Sequence, residues 1–143
     1  MLNRVIDRAE RFRHDASGAV AIEFMLIAPI LFALLFGIIT LGFFMGISHS
    51  VNQLAAGAAR ASVAGLDQTE RRSIANAYLA DAENRYPLLA NEAISTSLDL
   101  TAGTNSAITV VVSYDAKGTL LDVANGFLGL GINTIKGNAY VAY

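Results

Sequence analysis

The stretch GAVAIEFMLIAPILFALLFGIITLGFFMGI, residues 18–47, decides how this chain is read. From Phe24 to Ile47, nineteen of 24 positions are apolar, none is charged, and Thr40 carries the only polar side chain. As an α-helix the run is about 36 Å long at ~1.5 Å per residue, enough to cross a bilayer core of ~30 Å with some tilt. A buried helix of a soluble domain rarely runs this far without a polar face. Ala19–Ile22 extends the apolar stretch backwards, and Glu23 alone interrupts it.

Flanking charge orients the span. Arg4, Arg8, Arg11 and Arg13 precede it, whereas Arg60 is the first basic residue after it. Loops rich in Arg and Lys stay in the cytoplasm, so the N-terminus is expected inside and the C-terminal part outside. A secretory signal would need an apolar core of about 7–15 residues and a small-residue cleavage site just after it. This core is longer, and SHSVNQ follows it.

The whole chain has 143 residues, 54% hydrophobic and 15% charged, with a net charge of −2 and no Cys. The apolar excess belongs to the one run; without it the share is about half, ordinary for a folded domain. Such a composition excludes intrinsic disorder. With no basic block, a nucleic-acid partner is not expected. Without Cys there is no disulfide framework, thiolate metal site or Cys nucleophile.

Glu23 is the oddity of the run. A carboxylate near the middle of a span costs about 2.5–3.5 kcal/mol, and one near its end usually has a partner. Gly18 closes a short charged leader, four apolar residues follow, then Glu23 and Phe24, then an apolar run with Pro29. This order resembles the processing signature of prepilins. Within the Flp/Tad (tight adherence) class of pilins and pseudopilins, the stretch is similar to the TadE-like family. HSVNQLAAGAARASVAG, residues 49–65, resembles the family's segment after the membrane.

The resemblance implies a minor pseudopilin of the TadE/TadF type, acting in pilus assembly and adhesion. It implies cleavage by a prepilin peptidase between Gly18 and Ala19, with Glu23 and Phe24 completing the processing site. Its implied partners are the lipid bilayer, the prepilin peptidase, other pilins or pseudopilins and the pilus assembly platform. The implied location is the bacterial inner membrane, with the C-terminal domain periplasmic or extracellular. The alternative is an unprocessed single-span protein whose outer domain binds an envelope partner.

Within the span, Gly42 and Gly46 form a GxxxG pair, and Ala33 with Gly37 forms a second small-xxx-small pair; such pairs let helices approach closely in lipid. Pro29 removes a backbone donor and is expected to kink the helix.

Four segments are expected: a leader over 1–18, a span over 19–47, a helical continuation over 48–65, and a small domain over 66–143. The fold class is α+β, a long N-terminal helix leading into a pilin-like domain. Val51, Leu54, Ala58 and Ala61 recur at helical spacing, and Gly65 is expected to stop the helix. Asp67 and Glu70 read as a capping box opening a second helix over 68–85, with Ile74, Ala77, Tyr78 and Ala82 on its packed face and Pro87 ending it. The period then becomes two. Ile94, Leu98 and Leu100 form one strand, a turn falls at 102–105, and Ile108, Val110, Val112 and Tyr114 form the next. A turn at 115–118 precedes a Gly-rich irregular stretch over 119–131, with a helical turn at 120–124. A last strand is expected over 132–142. The sheet is expected to have three to four antiparallel strands, covered by the helices.

No catalytic constellation is expected. His49 between Ser48 and Ser50 lacks an orienting acid, and adjacent helical residues do not face each other. No ligand cluster indicates a metal or cofactor. Asp81 and Glu83 read as solvated charges. Gly129 and Gly131 lack the strand–helix setting of a phosphate loop.

Overall fold

The computed structural model describes residues 16–101, 103 and 106–143. The leader arginines and His14 lie outside the described residues, as do Ala102, Thr104 and Asn105 of the expected turn. The chain divides into two compact units between Ile38 and Ile39.

Helix α1, Ala16–Ser62, is continuous for 47 residues and runs through both units. Leu, Ala and Met favour it, and Pro29 lies within it without ending it. In the first unit, Val20, Phe24, Met25, Leu26, Ile30 and Phe32 are all more than half exposed. An apolar surface of this kind needs a lipid or protein environment.

In the second unit the same helix becomes a packing surface. Ile47, Val51, Leu54, Ala55, Ala58 and Ala59 are fully buried, following the 3.6-residue period. After Ser62 come helix α2, Gln68–Ala80, and a single turn α3, Ala82–Arg85. A short 3-10 turn, Asn91–Ala93, leads into strand β1, Ile94–Thr101. Strand β2, Ala107–Asp115, helix α4, Leu120–Leu128, and strand β3, Thr134–Ala142, complete the chain.

The sheet is antiparallel with order β1-β2-β3. Ile94 pairs with Tyr114 and Thr101 with Ala107. Ala107 pairs with Ala142 and Asp115 with Thr134. In central β2, Ile108, Val110, Val112 and Tyr114 are buried, so strict alternation aims one face at the core. That core also takes Ala75, Leu79 and Ala82 from the helices and Ile135 from β3. The expected α+β architecture is observed, with three strands.

Several local expectations need correction. The second helix does not run unbroken to Arg85. It breaks at Asp81 (φ −93°, ψ 19°). The Asp81 carboxylate accepts from Asn84 Nδ2 at 2.8 Å and pairs with Arg85 Nε at 2.9 Å. A short acidic side chain engaged locally in this way competes with helix continuation. The packed face is also rotated: Ala75 and Leu79 are buried with Ala82, whereas Ala77 is exposed.

Gly65 does not stop α1 by a left-handed turn. Among the described residues, positive φ occurs only at Gly103, Gly118, Gly129 and Gly131. Gly65 serves close packing instead, since a Cβ there would lie 2.7 Å from the Arg71 backbone nitrogen. The stretch over 119–131 is more regular than its glycines imply. Thr119 Oγ1 accepts from the Leu121 N–H at 3.2 Å, and Asp122 Oδ2 accepts from the Gly118 N–H at 2.8 Å. This cap starts a nine-residue helix, closed by left-handed Gly129. β3 begins two residues later than expected because Asn125 occupies the Ile132 backbone: its Nδ2 donates to the Ile132 carbonyl at 2.7 Å and its Oδ1 accepts from the N–H at 3.1 Å.

The Asp67 cap is present in a shifted form. Asp67 Oδ1 accepts from the Glu70 N–H at 2.8 Å, while Glu70 Oε2 accepts from the Leu66 N–H, one residue before the cap, at 2.7 Å.

Candidate functional site

The candidate site is the first half of α1. Gly18, Ala19, Glu23 and Phe24 all stand on this helix and are exposed. Among the described residues, no atom beyond the helix's own neighbouring backbone lies within 4 Å of the place a Cβ would occupy on Gly18. Ala19 and Glu23 are four residues apart, so they stack on one helical face. The bond between Gly18 and Ala19 falls in the opening turns of the helix. Terminal turns fray at small cost, and glycine lowers that cost further, so this bond is open to unwinding.

Pro29 lies six residues after Glu23 within α1. It has no N–H to offer the Met25 carbonyl one turn back. The helix carries that loss without a break.

The two glycines of GFFMG differ in surroundings. Gly42 has open space where a Cβ would stand, and so has Gly37. A Cβ on Gly46 would meet Leu88 Cδ1 at 3.0 Å. The C-terminal domain therefore already occupies the small surface at Gly46, while that at Gly42 is free of such contact.

Just beyond the apolar run, polar side chains turn back onto their own helix. Ser50 Oγ donates to the Gly46 carbonyl at 2.9 Å, and Asn52 Nδ2 donates to the Ser48 carbonyl at 2.8 Å. His49 Nε2 lies 3.3 Å from Gln53 Nε2. The imidazole is thus engaged with Gln53, and the Ser50 hydroxyl is committed to the backbone. Among the described residues, no three His, Cys, Asp or Glu side chains are placed to hold a metal ion.

Among the described residues, α1 supplies the single helix long and apolar enough to cross a membrane, over Gly18–Ser62. The family model described as TadE-like protein matches residues 18–60. Over these residues the chain is similar to that family. The match begins at Gly18, the residue before the expected cut, and takes in Glu23, Phe24, Pro29, Gly42 and Gly46. It ends at Arg60, before α2 and the sheet. No curated protein and no solved structure matches the chain.

Two features of helix α1 were not legible in the sequence. One is the Leu88 contact at Gly46, which joins residues far apart along the chain. The other is Gly137 of β3, whose missing Cβ admits the α1 backbone at Val51 and Asn52. A glycine inside a strand signals close backbone approach, but not the segment that approaches.

Proposed function

We propose that this chain is a minor pseudopilin of a Tad/Flp-type pilus system, processed by a prepilin peptidase and acting in pilus assembly and surface adhesion. The observation that carries the proposal is the order Gly18, Ala19, Glu23, Phe24, Pro29 at the head of one long TadE-like apolar helix that ends in a folded α+β domain.

The chemistry runs from that order. Gly18 presents a backbone without a Cβ to a tight protease cleft. Hydrolysis between Gly18 and Ala19 leaves the leader on the cytoplasmic side and creates an α-amino group on Ala19. That cation stands one helical turn from the Glu23 carboxylate. Pairing of the two, within a subunit or with a neighbour, offsets the cost of holding a carboxylate in an apolar environment. Before the cut, Glu23 lacks this partner; after it, the helix has a reason to enter an apolar filament core. The domain stays outside the inner membrane, and the protein performs no catalysis of its own.

Substituting Glu23→Ala tests the role. Membrane insertion should persist, because removing a carboxylate from an apolar run favours insertion. Pilus formation should fall. Normal piliation in the variant would remove Glu23 from the mechanism.

A further inference from the structure

We propose that β3 docks edge to edge with β3 of a second copy of this chain, antiparallel about a two-fold axis at Asn138. The proposal concerns residues beyond the 18–60 match and does not depend on the pilus reading.

The first observation is the direction in which the backbone of β3 points. Antiparallel partners alternate between pairs that exchange both hydrogen bonds and pairs that exchange none. The Tyr143 N–H donates to the Ser106 carbonyl at 2.9 Å, and the Ala116 N–H donates to the Asn133 carbonyl at 2.9 Å. These bonds frame the β2–β3 ladder at its two ends and share its register. The odd residues from Ile135 to Val141 therefore bond β2. The N–H and C=O groups of Thr134, Lys136, Asn138, Tyr140 and Ala142 point away from β2, towards the edge of the sheet. Among the described residues, no hydrogen bond reaches these groups.

The edge is also regular. Its register runs from Asp115–Thr134 to Ala107–Ala142 without a bulge, and the strand contains no Pro. A long edge without such protection is a template for a further strand. The opposite edge differs. By the same alternation the Leu98 carbonyl points outward from β1, and Arg72 Nη1 of α2 donates to it at 3.4 Å. With one edge engaged by a helix and the other open, pairing between copies closes as a two-fold dimer and does not grow head to tail.

The second observation identifies the occupant. Lys136, Asn138 and Tyr140 carry their side chains on the exposed face of the sheet, Tyr140 with 66% exposure. A register centred on Asn138 sets Asn138 against its own copy, Lys136 against the partner's Tyr140, and Thr134 against the partner's Ala142. This register satisfies the outward groups of all five residues. It places each ammonium beside an aromatic ring, an attractive pair, and it lets the two Asn138 amides bond each other. Centring the pair on Lys136 instead opposes two like charges and leaves Tyr140 and Ala142 without partners. The edge is thus complementary to itself in both charge and register, which selects a second copy as the occupant.

The chain contains no Cys, so a single introduced Cys reports its own contacts. The purified full-length protein carrying Asn138→Cys is reconstituted in phospholipid vesicles and treated with a short thiol-to-thiol cross-linker. Ser97→Cys, exposed on the same sheet but on β1, measures random collision. Asn138→Cys should form covalent dimer about tenfold or more faster than Ser97→Cys, because pairing holds two copies of position 138 opposite each other. Adding Tyr140→Lys opposes like charges across the strands and should slow the dimer about threefold or more. Adding Lys136→Glu to that variant sets opposite charges across the strands and should restore the rate. These substitutions are at exposed positions, so circular dichroism should stay unchanged throughout. Equal rates at 138 and 97 would overturn the proposal. So would a rate at 138 that ignores Tyr140→Lys, or one that Lys136→Glu fails to restore in a folded protein.

Discussion

Gly137 of β3 and Val51 of α1 meet backbone to backbone: a Cβ at 137 would stand 2.8 Å from the Val51 carbonyl carbon. It would be equally close to the Asn52 nitrogen, and neither atom is the far end of a flexible side chain. Gly137→Ala should therefore destabilise the C-terminal domain by about 1–3 kcal/mol through overpacking. Alanine's intrinsic advantage over glycine in a strand, about 0.5–1 kcal/mol, works the other way and is too small to offset the clash. Thermal unfolding in detergent micelles should show a lower midpoint than wild type.

The GxxxG pair should divide by function. Gly46→Leu must displace Leu88 and should lower the domain's unfolding temperature. Gly42→Leu enters open space and should leave that temperature unchanged. If Gly42 is a helix contact between subunits, the same variant should reduce cross-linking to other pilins and pilus yield. An equal loss of stability in both variants would contradict the asymmetry.

The Asp67 cap should be measurable in isolation. Asp67→Ala removes the acceptor for the Glu70 N–H and should cost about 1 kcal/mol. Asp67→Asn keeps an acceptor and should recover most of the loss. The comparison is read as a difference in unfolding midpoint.

Alkaline pH should weaken the domain through Tyr86. Burial pushes its hydroxyl above the ordinary value of 10.0, helped by a hydrogen bond and repulsion from Tyr78, while Arg85 and Arg60 pull the other way. The folded state holds the proton more tightly than the unfolded state. The stability this provides is complete below pH 10 and is lost as pH rises from there through the folded value. Tyr86→Phe should flatten the fall in unfolding midpoint above pH 10 while leaving the slope near pH 7 unchanged.

The parts legible in the sequence were those governed by local rules. The apolar run, the period-two pattern of Ile108–Tyr114 and the Asp67 cap each announce themselves within a few residues. The Glu23–Phe24 motif did so through its order after Gly18. What escaped was set by competition or by distance. Asp81, where α2 breaks, is engaged by Asn84 and Arg85, which compete with continuation of the helix. Thr119, Asp122 and Gly129 cap a helix that the surrounding glycines obscure. The contacts of Gly46, Gly65 and Gly137 depend on segments brought together by folding, which a single sequence does not display.

Processing is the hinge of the account. Gly18→Val should slow the cut, because a branched side chain fills the space glycine leaves open and resists the protease-bound backbone. Unprocessed protein should then accumulate in the membrane, detected as a band of higher mass. Efficient cleavage of this variant would favour a different site.

The most direct measurement is the intact mass and N-terminal sequence of the protein recovered from cells with an active prepilin peptidase. The account predicts a mature chain that starts at Ala19, with Glu23 as its fifth residue. Protein that retains Met1 and the whole leader would contradict it.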